Sequence, residues 1–179
     1  MKRFLKVMLV LLIVAAIACT AGYFIIRKRY PLKFEELIGK YSDKYAIPED
    51  FVCGVIWTES RFNEKAKSGA GARGLMQIMP ETGKWIAKKL EMSDFSEDML
   101  FDPEINIEMG CWYLSYLSRK FEGDELKIMA GYNAGPGNVE KWQKEGKFEH
   151  SDIVFPETQK YVKRVDHAKK IYRFIYNIH

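Results

Sequence analysis

The sequence predicts an all-α domain preceded by one N-terminal transmembrane helix, and three observations carry that prediction. Apolar residues recur at helical spacing through most of residues 31 to 179. No segment shows the apolar-polar alternation of period two that a half-buried strand needs. Residues 7 to 26 form an uncharged apolar run of twenty, which at about 1.5 Å per residue covers the roughly 30 Å hydrocarbon core of a bilayer. The 179 residues suit one domain plus this appendage, with no fixed-period repeat and no low-complexity segment.

The apolar run continues to Phe24-Ile25-Ile26, longer than the core of a cleaved signal peptide. A lipoprotein would use Cys19, but Ala16-Ile17-Ala18 before it is a poor match to the usual box. A retained anchor fits best, giving residues 1–30 as anchor and 31–179 as the globular domain. Three basic residues precede the run (Lys2, Arg3, Lys6) and three follow it (Arg27, Lys28, Arg29), so charge leaves its orientation open. The net charge of +4 comes from this segment, since residues 31–179 hold the other 22 basic residues and all 24 acidic ones. The globular part is therefore slightly acidic, which argues against nucleic acid as a partner.

The elements follow in order. Residues 33–46 read as an amphipathic helix with Phe34, Leu37, Ile38, Tyr41 and Tyr45 on one side. Pro48, Glu49 and Asp50 start a second helix that runs to residue 60. Gly54 inside it costs about 1 kcal/mol against alanine, which a close helix crossing would explain. Residues 61–79 are loop with room for a short hairpin, and a third helix runs from Pro80 or Glu81 to about Glu91 with Trp85, Ile86 and Leu90 apolar. After an irregular stretch, Asp102-Pro103 caps and opens a long helix that Gly123 ends. Its predicted buried stripe is Ile105, Met109, Trp112, Tyr116 and Leu117. Asp124 caps the next helix, which Gly135-Pro136-Gly137 stops. A short helix spans Asn138 to Lys144, residues 146–155 are loop, and Pro156 opens the last helix with Val162, Val165, Ala168, Tyr172 and Ile175 inward. Cys53 and Cys111 lie on helices outside any Cys-x-x-Cys pattern. Buried free thiols fit them, and a disulfide becomes possible if the domain is extracytoplasmic.

Chemistry concentrates between residues 57 and 80. Phe51, Val55 and Glu59 recur every four residues, placing a carboxyl on the apolar face of its own helix. Apolar surroundings resist ionisation and raise the pKa, leaving an acid that can protonate a leaving oxygen near neutral pH. A glutamate on a last turn is more often solvated. The loop shifts the balance: Gly69, Gly71 and Gly74 permit close backbone approach, and the compact run Leu75-Met76-Gln77-Ile78-Met79-Pro80 follows directly.

Four stretches occur in one order: Glu-Ser-x-Phe at 59–62, Gly-x-x-Gly-Leu-Met-Gln-Ile-Met-Pro at 71–80, Tyr-Asn-Ala-Gly-Pro-Gly at 132–137 and Glu-Thr-x-x-Tyr-Val at 157–162. Together they resemble the soluble lytic transglycosylase type of catalytic domain, over most of residues 31–179. The resemblance implies a lysozyme-like α fold with a ligand cleft. It implies cleavage of the bond between N-acetylmuramic acid and N-acetylglucosamine in peptidoglycan, leaving 1,6-anhydromuramoyl ends without consuming water. Glu59 would be the lone acid and then base. Ser68, Gln77 and Met79 would line the cleft, Tyr132 and Asn133 the opposite wall, and Glu157 and Tyr161 would sit near the reacting sugars. On their own, Glu157 reads as a helix N-terminal acid and Tyr161 as a core tyrosine. Gly131 stands where the family commonly has alanine, a change that could loosen a backbone contact to ligand.

Most glycosidases pair two carboxylates, but Glu64 reads as a solvated turn residue and Glu81 as a first-turn acid. Neither reads as a second catalytic carboxyl, which suggests that the substrate provides the rest. His150, His167 and His179 share no metal-ligand spacing, and the implied reaction needs no cofactor. Because the substrate lies outside the cell, the expected location is the cell membrane, single-pass, with the domain on the cell-wall side. A water-adding muramidase of the goose-lysozyme type and a catalytically silent glycan-binding envelope protein are the alternatives.

Overall fold

A computed structural model describes residues 2–143 and 146–179. The chain divides into two compact units, Met1–Leu32 and Lys33–His179. The first is helix α1, Lys2–Arg29. Its stretch Arg3–Arg29, of mean hydropathy 2.7, is long and apolar enough to cross a membrane by length and composition. The hydroxyl of Thr20 donates back to the Ala16 carbonyl at 2.8 Å, which satisfies a polar group within the apolar run.

The second unit contains α2 (Glu35–Tyr45), α3 (Glu49–Ser60), α4 (Pro80–Lys89), α5 (Pro103–Lys120), α6 (Glu125–Ala134), α7 (Pro136–Trp142) and α8 (Pro156–Tyr176). Short 3₁₀ turns at Glu97–Phe101 and His150–Asp152 occupy stretches that read as irregular. Among the described residues the loop from 61 to 79 holds only isolated antiparallel bridges, Lys67 to Arg73 and Arg73 to Ile78. Capping follows the sequence. Asp102 accepts from the Ile105 amide at 3.0 Å, and Asp124 accepts from the amides of Leu126 and Lys127.

Some boundaries differ from expectation. Phe34 adopts a left-handed conformation, so α2 begins only at Glu35. Gly135, at φ 84°, ends α6, and Pro136 then opens α7 two residues earlier than expected. Its fixed φ suits a first helical position, so Gly-Pro-Gly is a junction rather than a stop. The expected end of this helix, Lys144, lies outside the described residues.

Helix α3 is the centre of the core, with Phe51 to Trp57 all buried. It packs antiparallel to α8. At one end the fully buried Asp50 carboxylate pairs with Arg173 at 2.7 Å. In the middle, a Cβ on Gly54 would stand 3.0 Å from the Val165 carbonyl oxygen and 3.1 Å from the Lys169 amide nitrogen. Glycine therefore sets the distance between the two helices. Beside it Lys169, almost wholly buried, bonds both Glu125 carboxylate oxygens at 2.6 Å and ties α8 to α6. Cys53 and Cys111 are buried and free, and burial pushes both thiol pKa values up.

The stripe expected on α5 is corrected. Met109 and Leu117 are buried, but Ile105, Trp112 and Tyr116 are only half-buried. The covered face is instead Asn106, Ile107, Met109, Gly110, Cys111, Leu114, Ser115 and Leu117. Spacing groups residues on a helix without saying which group a neighbour covers. Ile175 on α8 is likewise half-buried, since the helix ends one residue after it.

The close crossing gives a prediction of sign. Helix propensity alone would make Gly54→Ala stabilising by about 1 kcal/mol. The new methyl would instead meet α8 backbone, which cannot rotate away, and Gly54→Ala should destabilise by about 1–3 kcal/mol, read as a lowered urea midpoint.

Candidate active site

Glu59 lies on the last turn of α3. The helix stops just after it because Arg61 and Phe62 both take left-handed backbone angles, φ 56° and 61°. Two contacts hold that turn: the Arg61 guanidinium lies 3.2 Å from the centroid of the Trp57 ring, and Phe62 is buried against Tyr172. The half-buried Glu59 carboxyl is pushed up to about pKa 7. Loss of water around the charged form is the main cause, opposed by the Tyr161 hydroxyl and by the positive charge of Arg164.

Tyr161 is buried, and its hydroxyl has no partner that meets hydrogen-bond geometry. It nevertheless interacts with Glu59, which helps push the phenol pKa up after burial, the larger cause. The hydroxyl is thus close enough to Glu59 to act on its charge. Tyr132 faces Glu59 from α6, where burial and then the Glu59 charge raise its pKa. Its hydroxyl donates to the Met76 carbonyl at 2.9 Å.

The loop between α3 and α4 is fixed by Asn106, which matches the family's pattern in sequence but has no role assigned from it. The Asn106 side chain donates to the carbonyls of Leu100 (2.7 Å) and Arg73 (3.0 Å) and accepts from the Met76 amide (2.7 Å). A Cβ at Gly74, φ 77°, would collide with the Leu100 carbonyl and the Asn106 amide, so only glycine fits. Gln77 sits at φ 49°, a strained angle for a side chain of its size, and its amide anchors it to the Ala66 and Gly74 carbonyls.

Gln77, Met79, Tyr132 and Asn133 line one hollow of about 240 Å³, together with Thr82 and Tyr113. Met79 is 41% exposed, an apolar side chain presented to solvent. Asn133 is held by the buried Thr158 hydroxyl, which donates to its side-chain oxygen at 2.8 Å. The structure therefore brings together Glu59, Tyr132 and Tyr161, and separately Gln77, Met79, Tyr132 and Asn133, with Tyr132 common to both. Ser68 is not in that lining. Its hydroxyl oxygen accepts from the Ala72 amide at 3.0 Å and closes the glycine turn. Glu157 is exposed in the first turn of α8, next to Thr158, without a contact that joins it to Glu59.

Thr158 stands in the Glu-Thr-x-x-Tyr-Val stretch and Asn106 in a further stretch that matches the family's Asn-Ile-x-x-Gly-x-x-Tyr-Leu, both without an assigned role, and Arg164 escaped the sequence reading. Arg164 lies one turn beyond Tyr161, and that spacing was a usable signal. Gly131 gains a different meaning from the one expected. A Cβ there would stand 2.9 Å from the Phe121 ring, so the glycine admits an aromatic into the core rather than adjusting a ligand contact.

The domain is helical and of the lysozyme-like class, with a carboxyl of raised pKa, Glu59, near Tyr132 and Tyr161. The chain belongs to the transglycosylase SLT domain family, whose profile matches residues 36–155. It is 36% identical over 156 residues to the soluble lytic murein transglycosylase of Escherichia coli strain K12, covering 83% of this chain and 24% of that protein. The chain thus spans about a quarter of the length of such relatives. It is 33% identical to the membrane-bound lytic murein transglycosylase C of Serratia proteamaculans over 60% of this chain and 32% of that one. Among solved structures, an inactive mutant of the lytic transglycosylase Slt from Pseudomonas aeruginosa superposes with a TM-score of 0.80 at 31% identity, covering 85% of this chain and 26% of that one. The 70 kDa soluble lytic transglycosylase of Escherichia coli gives 0.79 at 35% identity, covering 84% and 26%.

The raised pKa carries a stability consequence. The fold favours neutral Glu59, so its contribution is complete below the ordinary value of 4.5 and is lost as pH rises through about 7. Between pH 5 and 8 the wild type should lose roughly 2 kcal/mol relative to Glu59→Gln, after discounting for partial exposure, as measured by urea unfolding.

Proposed function

We propose that this chain is a peptidoglycan lytic transglycosylase with Glu59 as its single acid and base. One observation carries the proposal. Glu59 is protonated up to about pH 7, and the groups that act on its charge are a tyrosine and an arginine, with no carboxylate among them. An acid without a partner carboxylate suits a reaction in which the substrate supplies the rest.

In this reading the glycan strand lies along the hollow lined by Gln77, Met79, Tyr132 and Asn133. Protonated Glu59 gives its proton to the oxygen between N-acetylmuramic acid and N-acetylglucosamine as the bond from that oxygen to the muramic anomeric carbon breaks. The 2-acetamido oxygen of the same sugar stabilises the positive anomeric carbon. Ionised Glu59 then takes the proton from the sugar's 6-hydroxyl, whose oxygen closes the 1,6-anhydro ring. Atoms balance without water, and Glu59 ends as it began. Tyr161 and Arg164 favour the ionised intermediate form, while burial favours the protonated starting form, so both states are accessible near neutral pH. Tyr132, fixed to the Met76 carbonyl, and Asn133, fixed by Thr158, hold the opposite wall. Ser68 contributes by shaping its loop, and Glu157, exposed at the start of α8, would approach the bound strand.

Residues 1–30 would anchor the protein in the cell membrane through residues 7–26, with residues 31–179 as the catalytic domain on the cell-wall side, where glycan strands are. The length and apolarity of α1 support this, as does the similarity to relatives named as membrane-bound.

Digestion of purified peptidoglycan should give muramoyl ends one water lighter than reducing ends by mass spectrometry, and Glu59→Gln should release none while keeping its fold. Reducing ends would instead mark the chain as a hydrolytic muramidase. The pH dependence offers a second check. kcat/KM should fall as pH rises through about 7, where free Glu59 ionises. Arg164→Gln should move that alkaline limb to higher pH, by less in high salt, because it removes a positive charge that favours ionisation.

A further inference from the structure

The last helix carries a charge that the rest of the globular part does not. Residues 31–179 hold slightly more acids than bases, yet the 21 residues of α8 include six Lys and Arg and only two acids. Two of the six are engaged inside the fold, Lys169 by Glu125 and Arg173 by Asp50. Lys160, Lys163, Arg164 and Lys170 are exposed, as is His167. Lys163, His167, Lys170 and Phe174 follow at intervals of four, three and four, which draws them into one stripe along the helix. Lys160 and Arg164 flank it. Of the two acids, Glu157 stands in the first turn and Asp166 bonds Lys170 at 2.7 Å.

The stripe changes character toward its end. Ile171 and Ile178 are half-buried, but Phe174 between them is 89% exposed, more than Phe4 in α1 at 71%. Water around so bare a ring is unfavourable, and covering it would stabilise the molecule. Cations followed by an apolar ring suit a lipid interface. The cations meet phosphate headgroups, and the ring enters the boundary with the acyl chains. Lysine stems are long enough to keep the charge at the headgroups while the ring goes deeper. A protein groove that takes a helix reads several fully presented apolar anchors, and here a single one is presented.

Lipid is also within reach. Residues 30–34 alone connect α1 to α2, and five residues span at most about 18 Å. The end of α8 lies where the chain enters the domain. The Glu49 amide donates to the His179 carbonyl at 2.9 Å, and Glu49 shares a hollow with Phe34, Glu35 and Leu37.

We infer that the exposed stripe of α8 from Lys163 to Phe174 is a membrane-contact face, which seats the Phe174 ring in an anionic lipid surface. The inference rests on the reading of α1 as a membrane anchor. Glu35 and Glu36 are repelled by anionic headgroups, so the stripe of α8, and not the start of α2, is the face that meets lipid.

The test uses the full-length chain in phosphatidylcholine vesicles with or without phosphatidylglycerol, and reads tryptophan quenching by brominated lipid. Phe174→Trp places a reporter in the stripe, and Lys89→Trp places one on the exposed side of α4 as a control. The unsubstituted chain, with four tryptophans, sets the background. In anionic vesicles the reporter in the stripe should be quenched about twofold more than the control, and salt should weaken the difference. Replacing Lys163 and Lys170 together by Gln should bring it down to its level in neutral vesicles. Three outcomes overturn the inference: equal quenching at the two positions, quenching indifferent to anionic lipid, or quenching that survives loss of both lysines. A second copy of the chain seated on the stripe would give the first of these. Failure of the anchor is read separately, by flotation of the unsubstituted chain with vesicles in high salt. A chain that does not float overturns the anchor and the inference with it, whereas a chain that floats without the extra quenching overturns the inference alone.

Discussion

The closeness of α3 to α8 is the constraint on which the site depends. Two helices normally stand 8–10 Å apart because side chains separate them. At Gly54 nothing intervenes, and the backbone of α8 fills the space. Sliding α8 outward by one methyl would carry Tyr161 and Arg164 with it, since both lie on α8 just before the crossing at Val165. Those are the groups that act on the Glu59 carboxyl. A glycine that weakens its own helix thereby helps set how close α8 brings Tyr161 and Arg164, the two groups that offset the larger effect of burial on Glu59. Charge pins one end of the crossing, Asp50 on Arg173, and beside Gly54 it ties α8 to α6 through Lys169 and Glu125.

The opposite wall is built differently. It hangs on hydrogen bonds to loop backbone rather than on helix packing. Asn106 grips two loop positions, Arg73 and Met76, and the Leu100 carbonyl of the following 3₁₀ turn, and Met76 takes part twice, giving its amide to Asn106 and its carbonyl to Tyr132. The Met76 side chain lies over Gly110, where any Cβ would collide with its sulfur. Irregular backbone can be held this firmly only if its polar groups are all accounted for. One buried amide side chain does much of that here.

Much of this was legible beforehand, and the reasons are specific. Caps and first-turn prolines at Asp102-Pro103, Asp124 and Pro156 act locally, so they fixed helix starts within a residue. The interval of four from Phe51 to Glu59 placed a carboxyl on an apolar face, and the raised pKa follows from that placement. What escaped depends on contacts distant in sequence. Periodicity put Trp112 and Tyr116 together but could not tell that no element covers them. Gly131 looked like a cleft residue because its neighbours are, whereas Phe121, ten positions earlier, decides its size. Asn106 sits in the middle of α5, and nothing local announces that it supports a loop thirty residues upstream.

The two buried thiols bear on how the domain could reach its final compartment. Cys53 and Cys111 are shielded from water and resist deprotonation, so they are poor partners for oxidants or exchange enzymes. The shape of the domain is held by packing and salt bridges, with no covalent crosslink. Burial would shield both thiols in either a reducing or an oxidising milieu, whichever surrounds the folded domain.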